Sequence, residues 1–252
     1  SYTSFFAGNT RQTANALLDV AAVGGAMRVL DVACGPGHVA AAAAARGAHA
    51  IGCDLSGEML AAAGRLHPKL EFRAGDAEAL PFGDGAFDAV VCNFGLGHFP
   101  RPEIAAGELA RVCRSGGRVA VTWWDQPMRS RINGTFFDAL AEVGASPPPT
   151  LPPGPPIFRF SDEAALRDLL TGAGLSDVRV ATHGWTYRVA DVESWWRGGL
   201  GGMMRLAAIV NGQSEEMRRR IRAVFVRLAA PYAVAGGYDV PNSAKLAVGM
   251  KR

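Results

Sequence analysis

Between Arg28 and Trp124, short apolar runs alternate with helix-forming stretches five times, and few architectures accept that pattern. "MRVLDVA" and "FDAVVCN" are nearly continuous apolar runs, as in strands buried on both faces. The stretch from about Gly37 to Arg46 holds six consecutive alanines and reads as a buried helix. "AHAIGCD", "LEFRAGD" and "GRVAVTWW" supply the other strands. "LSGEMLAAAGRL" reads as a helix with Ser56 as N-cap, and "PEIAAGELARVCRSGG" as a helix stopped by Gly116-Gly117. Such alternation implies α/β architecture: a doubly wound parallel sheet with helices on both faces, joined by right-handed crossovers.

The second half is less regular. A helix is expected over Arg131–Val143, then a stretch, Ala145–Phe158, in which half the residues are proline and which can be neither helix nor central strand. "SDEAALRDLLTGAGL" reads as a helix capped by Ser161. "DVRVATHGWTYRV" and "SAKLAVGMK" read as strands, and residues 191–235 as helical with breaks at Gly198–Gly202 and near Asn211-Gly212. The chain is expected to be a single domain over 1–252. A helical cover spans 1–27 and a cofactor-binding core 28–125; insertions at 126–160 and 190–240 would form a helical lid and acceptor pocket.

Composition excludes several function classes. Hydrophobic residues make up 49%, enough for a sizeable core, yet no apolar run reaches the length of a membrane span. A net charge of +3 is too small to argue for nucleic acid. Cys34, Cys53, Cys92 and Cys113 form no C-x-x-C pair and no zinc-spaced cluster, so buried reduced thiols, no metal and a cytoplasmic protein are expected. The opening residues lack the basic-then-apolar order of a signal peptide.

The chemistry concentrates in "VLDVACGPGHVA". Gly35 and Gly37 leave the main chain bare at the carboxyl end of the first strand, where open α/β sheets bind ligands. "GPGHVA" also fits a dinucleotide fingerprint. Asp54, seventeen residues after Gly37, could accept from two ribose hydroxyls or cap the next helix. Asp31 discriminates: an ionised carboxylate in a buried strand is costly without hydrogen bonds or a cation. It would oppose a pyrophosphate and favour a ligand carrying an ammonium and a sulfonium, such as S-adenosylmethionine; capping neighbouring amides is its alternative role. Asp76 could accept from an adenine amino group while the Ala77 amide donates to a ring nitrogen. Asn93 and Phe94 end the fourth strand, where main chain could meet the methionine part. Leu55 and Met59 could pack on adenosine or simply join the core.

In "VLDVACGPG", "GCDLSGEML", "GDAEALPF", "FDAVVCNFGLGHF" and "ELARVCRSGGRVAVTWW" the chain resembles the class I S-adenosylmethionine-dependent methyltransferases, closest to the small-molecule group of ubiquinone and menaquinone C-methyltransferases (methyltransferase type 11). The resemblance implies a Rossmann-like, seven-stranded, mostly parallel sheet with an antiparallel last strand. It implies S-adenosyl-L-methionine as cofactor and S-adenosyl-L-homocysteine as product. Ala33 stands where the family often has its first loop glycine, a slight tightening of that space.

The expected reaction is in-line methyl transfer to a small hydrophobic or aromatic acceptor of secondary metabolism. It needs alignment and water exclusion more than acid–base chemistry. His98, just after the fourth strand, is the candidate base, with packing as its other reading; Asp125 and His183 are weaker candidates. Tyr2, Phe5, Phe6, Trp123, Trp124, Trp185, Tyr187, Trp195 and Trp196 would line an acceptor pocket or form core. Two rivals stand. One is a member that binds the cofactor but catalyses another reaction such as a cyclisation. The other is a nicotinamide-dependent oxidoreductase, against which the chain lacks a Tyr-x-x-x-Lys pair.

Overall fold

The computed structural model describes residues 5–152 and 157–252; Tyr2 and residues 153–156 of the proline-rich stretch lie outside them. Eight strands run in chain order: β1 Arg28–Val32, β2 His49–Asp54, β3 Glu71–Ala74, β4 Phe87–Asn93, β5 Cys113–Trp124, β6 Leu175–Val189, β7 Ala233–Val234 and β8 Gly237–Lys251. The α-helices are α1 Phe6–Thr10, α2 Ala14–Val20, α3 His38–Ala45, α4 Gly57–Leu66, α5 Pro102–Val112, α6 Arg131–Val143, α7 Glu163–Gly172, α8 Val192–Gly202, α9 Met204–Asn211 and α10 Glu215–Ala229. None of the described helices is long and apolar enough to cross a membrane.

The sheet order is β3-β2-β1-β4-β5-β8-β6, with the two-residue β7 paired to β8. β1 pairs in parallel with both β2 and β4, β4 with β5, and β8 runs antiparallel to β5. The path therefore reverses between β1 and β4, and the carboxyl ends of those two strands open the crevice where such sheets bind ligands. Apolar residues at both faces explain why β1 and β4 are central: Val29, Leu30, Val90 and Val91 are fully buried. The alanines of α3 let its helix lie close over Val29, Ala89 and Val91 in one core.

The chain forms two compact units. The first comprises Thr10–Trp124, Pro156–His183 and Ala244–Arg252, and holds β1 to β5. The second comprises Ser1–Asn9, Asp125–Pro155 and Gly184–Ser243. Its core is aromatic: Phe136, Trp195 and Phe225 are fully buried, and Trp195 Nε1 donates to the Ile132 carbonyl at 3.1 Å.

Three local expectations are corrected. The helix before β5 stops at Val112, and Gly116-Gly117 lie in an irregular start of β5, where the register against β4 shifts between Phe87 and Ala89. A Cβ on Gly117 would lie 2.7 Å from the Asp88 carbonyl oxygen, so contact with the neighbouring strand sets that glycine. The cap of α7 is Asp162, whose carboxylate accepts from Ala165 N at 2.8 Å, while Ser161 is buried in the preceding turn. Gly198–Gly202 do not break a helix. They complete α8, which ends at Met203, because Cβ atoms at Gly198, Gly199 and Gly202 would collide with the rings of Phe5, Phe136 and Phe6.

Gly199→Ala therefore tests packing against propensity. A Cβ there would sit 2.2 Å from Phe136 Cζ. Overpacking should outweigh the helical gain and cost about 1–3 kcal/mol in chemical denaturation. Gly201→Ala, with nothing within 4 Å, should instead be neutral or stabilise by up to about 1 kcal/mol.

Candidate active site

The expected cofactor residues, Asp31 through Phe94, all belong to the first unit, grouped on the carboxyl ends of β1 to β4 and the segments that follow. The loop after β1 turns through two left-handed residues, Ala33 at φ 55° and Gly35 at φ 51°, and Gly37 at φ 81° caps α3. Phe94, after β4, is left-handed as well, at φ 58°. Two non-glycine residues in that region cost about 1 kcal/mol or more each, and such strain clusters at functional loops. Ala33 is accommodated by the opposite loop: a Cβ on Gly95 would lie 3.0 Å from the Ala33 methyl and 2.5 Å from Cys92 Sγ.

The two loop glycines differ in role. A Cβ on Gly35 would meet nothing within 4 Å, so open space stands over it. A Cβ on Gly37 would lie 2.7 Å from the Phe72 ring, and the Gly37 N–H donates to the Cys34 carbonyl at 2.9 Å. The bare main chain expected at both positions is found at Gly35, while a side chain takes the space over Gly37.

Asp54 ends β2 and fastens the crevice. Its Oδ2 accepts from Gly35 N and its Oδ1 from Ser56 N, each at 2.8 Å. A carboxylate has about four lone-pair sites, so two remain for a ligand's hydroxyls. Ser56 caps α4, its hydroxyl accepting from Met59 N at 3.3 Å. Leu55 is 75% exposed, which removes the core-packing alternative for it, and Met59 is half-buried on α4. Asp76 is exposed and its Oδ1 accepts from Glu78 N at 2.9 Å; Ala77 is buried beside it.

Asp31 is buried in β1. Its Oδ2 accepts from Ala40 N of α3 at 3.0 Å, and its Oδ1 is a buried oxygen with no hydrogen-bond partner. Burial pushes the carboxyl up to about 8; the Ala40 N–H opposes this and the Asp54 charge adds to it. Burial thus favours the protonated carboxyl in the absence of a cation, in keeping with the cost of an ionised carboxylate in a buried strand. The same burial raises the neighbouring Cys92 thiol to about 12, and Cys34, Cys53, Cys92 and Cys113 are all buried free thiols.

Sequence reasoning considered only the Asn93 main chain, whereas the structure engages its side chain. Asn93 Oδ1 accepts from the Thr122 hydroxyl at 2.6 Å, and Nδ2 donates to the Thr10 carbonyl at 3.1 Å. The Thr13 hydroxyl shares its proton between Asn93 Oδ1 at 2.8 Å and the Thr10 carbonyl at 2.7 Å. Thr122 Oγ1 also accepts from Phe94 N at 3.0 Å, which holds that residue's left-handed turn. The one sequence signal for this network is a polar cluster, "NTRQT", ahead of an apolar helix.

Phe94 is buried with its ring 4.2 Å, centroid to centroid, from that of Trp124. Trp123 is buried too, its Nε1 donating to the Ile157 carbonyl at 2.7 Å, and the His98 ring meets it edge-on at 5.5 Å. His98 keeps an exposed surface, yet the protein around it lowers its imidazole below the ordinary histidine value, with the Asp54 charge opposing. Among the described residues, no side-chain hydrogen bond orients that imidazole. Of the other aromatics, Phe6 and Trp195 are core, Trp185 Nε1 donates to Asn9 Oδ1 and the Tyr187 hydroxyl to the Phe5 carbonyl, and Trp196 stacks on Phe136. Asp125 is buried in the second unit and accepts from the Ser243 hydroxyl at 3.0 Å.

A bare, open glycine loop, a carboxylate at the end of β2 and a buried unpartnered carboxylate oxygen in β1 now stand together, and comparison with known proteins gives them a family. Residues 30–121 match the methyltransferase-domain family. A demethylmenaquinone methyltransferase of Beutenbergia cavernae is 37% identical over 148 residues, 56% of this chain and 62% of that protein. A protein of Mycobacterium tuberculosis named as uncharacterised is 36% identical over 169 residues, 66% of this chain and 59% of that one. The chain thus spans about three-fifths of the curated relatives it matches. The YcgJ protein from Bacillus subtilis shares the fold, with a TM-score of 0.60 at 22% identity over 96% of this chain and 98% of that one. The methyltransferase domain is of class I, and its cofactor is S-adenosylmethionine, released as S-adenosylhomocysteine. The residues fit that group: the orphaned Asp31 oxygen lacks a cationic or donor partner, and Gly35 leaves room for one.

The raised Asp31 value has a pH signature. A cation favours the ionised carboxylate, so binding in this domain must expel a proton below about pH 8. Affinity for S-adenosylmethionine should rise from about pH 5.5 to about 7.5, below the range where the ligand's own amino group titrates. The slope should approach, at most, about tenfold per pH unit. Asp31→Asn should flatten it; calorimetry in buffers of different ionisation enthalpy would read the released proton directly.

Proposed function

We propose that this protein transfers a methyl group from S-adenosylmethionine to a small, apolar, aromatic or quinone-like acceptor of secondary metabolism. The observation that carries the reading is the buried Asp31 oxygen with no partner, beside open space over Gly35. An anionic pyrophosphate would sit poorly beside Asp31 and Asp54, whereas a ligand with an ammonium and a sulfonium relieves both carboxylates. Four buried free thiols support a reducing compartment such as the cytoplasm.

When bound, S-adenosylmethionine supplies a methyl group on a sulfonium, whose sulfur departs as a neutral thioether. The chain's own residues then have limited tasks. Asp54 holds the ribose hydroxyls through its two spare lone-pair sites, and the Gly35 main chain lets the ligand approach. Asp76 and the Ala77 amide meet the adenine, with Leu55 and Met59 against its faces. Phe94 and Trp124 offer an apolar wall that excludes water and suits a flat acceptor. His98, its imidazole lowered below the ordinary histidine value by burial, accepts a proton where the acceptor must lose one. The similarity to a protein named demethylmenaquinone methyltransferase supports a quinone-like acceptor.

The direct test is a labelled-methyl assay with quinone-like and phenolic acceptors, read together with release of S-adenosylhomocysteine. Stoichiometric label in a small acceptor is the expected result. Label only in protein or RNA, or conversion of an acceptor without release of S-adenosylhomocysteine, contradicts the reading. Asp54→Ala should weaken cofactor binding more than about tenfold, in line with loss of charge-assisted hydrogen bonds. His98→Ala should lower turnover while leaving cofactor affinity unchanged, and wild-type turnover across pH would remove the histidine from the chemistry.

A further inference from the structure

In the last stretch of β5, Val119–Trp124, every side chain is buried, and Thr122 is the one residue there that is neither aliphatic nor aromatic. Register places it beside Asn93 of β4 on one side and Leu246 of β8 on the other. Valine has nearly the same shape and would suit such a strand without a hydroxyl to desolvate. Strand packing therefore leaves the hydroxyl unexplained, yet both its proton and its oxygen are engaged. It donates to Asn93 Oδ1 at 2.6 Å and accepts from Phe94 N at 3.0 Å.

The direction of these bonds is set from the N-terminal turn. The Thr10 carbonyl can only accept, so it takes Asn93 Nδ2 at 3.1 Å and leaves Oδ1 facing Thr122. Oδ1 can only accept as well, so the Thr122 proton points at Asn93 and an oxygen lone pair faces the Phe94 N–H. The reverse orientation of the hydroxyl would set two donors against each other. The Thr13 hydroxyl, 2.8 Å from the same Oδ1, holds the amide the same way round. All five residues lie in the first unit.

This chain of bonds ends on a strained residue. Phe94 has φ 58°, a conformation that a bulky side chain keeps only where its surroundings enforce it. Its N–H has one other acceptor, the Thr122 carbonyl, at a longer 3.3 Å. The turn stands just past the carboxyl end of β4, at the crevice between β1 and β4. If it slackens, both the main chain there and the ring packed on Trp124 shift.

We propose that Thr122 is a positioning residue for the cofactor: its hydroxyl, oriented through Asn93 by the N-terminal turn, locks Phe94 in the left-handed turn that shapes the β4 side of the crevice before the ligand arrives. Thr122 is buried and acts through Phe94. The proposal rests on the placement of S-adenosylmethionine over the carboxyl ends of β1 and β4.

The test separates the hydroxyl from the fold. Thr122→Val keeps the shape and loses the hydroxyl; Thr122→Ser keeps the hydroxyl and loses a methyl group, at some cost in stability. Each is titrated calorimetrically with S-adenosylhomocysteine, and ligand-free melting and near-ultraviolet circular dichroism are recorded. Thr122→Val should lose about tenfold in affinity, the scale of a site that must order a turn as it binds. Its aromatic dichroism from the Phe94–Trp124 pair should weaken. Thr122→Ser should bind as the wild type does, even where it melts earlier, so that affinity follows the hydroxyl and not the melting temperature. Should the valine variant not fold, Thr122→Ala against Thr122→Ser makes the same comparison. Wild-type affinity in the variant that lacks the hydroxyl, or losses that track melting temperature in both variants, would overturn this assignment alone. A wild type that does not bind S-adenosylhomocysteine defeats the cofactor placement and this assignment with it.

Discussion

A carboxylic acid is buried inside a central strand, and the ligand edge is organised around it. Asp31 Oδ2 takes the Ala40 N–H of α3, tying the first strand to the first crossover helix, while Oδ1 remains unmatched. A polar group left unpartnered in the interior costs about 1–3 kcal/mol. Burial lowers that cost by favouring the protonated form, whereas a cationic partner would favour the ionised one. The site is thus least comfortable when empty, and ligand charge is the quantity it reads.

Asp54 and Asn93 extend this control to the loops. Asp54 binds the main chain on both sides of the crevice, at Gly35 and at Ser56, so the loops after β1 and β2 share one carboxylate. Asn93 performs the matching task after β4, joining Thr122 of β5 to the N-terminal turn. Both side chains are short and held by at least two hydrogen bonds, as suits a preorganised site. The left-handed conformations of Ala33 and Phe94 persist because this network over-determines them.

Much of the fold was legible in the chain. Strand–helix alternation gives the parallel sheet, and the main path holds seven strands with β8 antiparallel, as the resemblance implies. The failures were at glycines and caps. Gly116-Gly117 and Gly198–Gly202 looked like helix stops because glycine commonly is one, yet their bare Cα atoms make room for a neighbouring strand and for aromatic rings. Ser161 lost the cap of α7 to Asp162, one residue on, since both side chains can accept the same amide. At the site, residue types were readable and their partners were not: Thr122, Thr10 and Thr13 lie far from the glycine loop in sequence and carry no motif.

By itself the sequence determined the strand–helix alternation, the glycine loop and the placing of acidic residues at strand ends, because periodicity and local backbone chemistry are properties of neighbouring residues. Tertiary structure alone decided that burial raises the Asp31 carboxyl, that Gly37 faces Phe72 while Gly35 faces open space, and that Asn93 holds the N-terminal turn. Each of those depends on what distant segments bring to within a few ångströms, and burial and packing are set only when the chain has closed on itself.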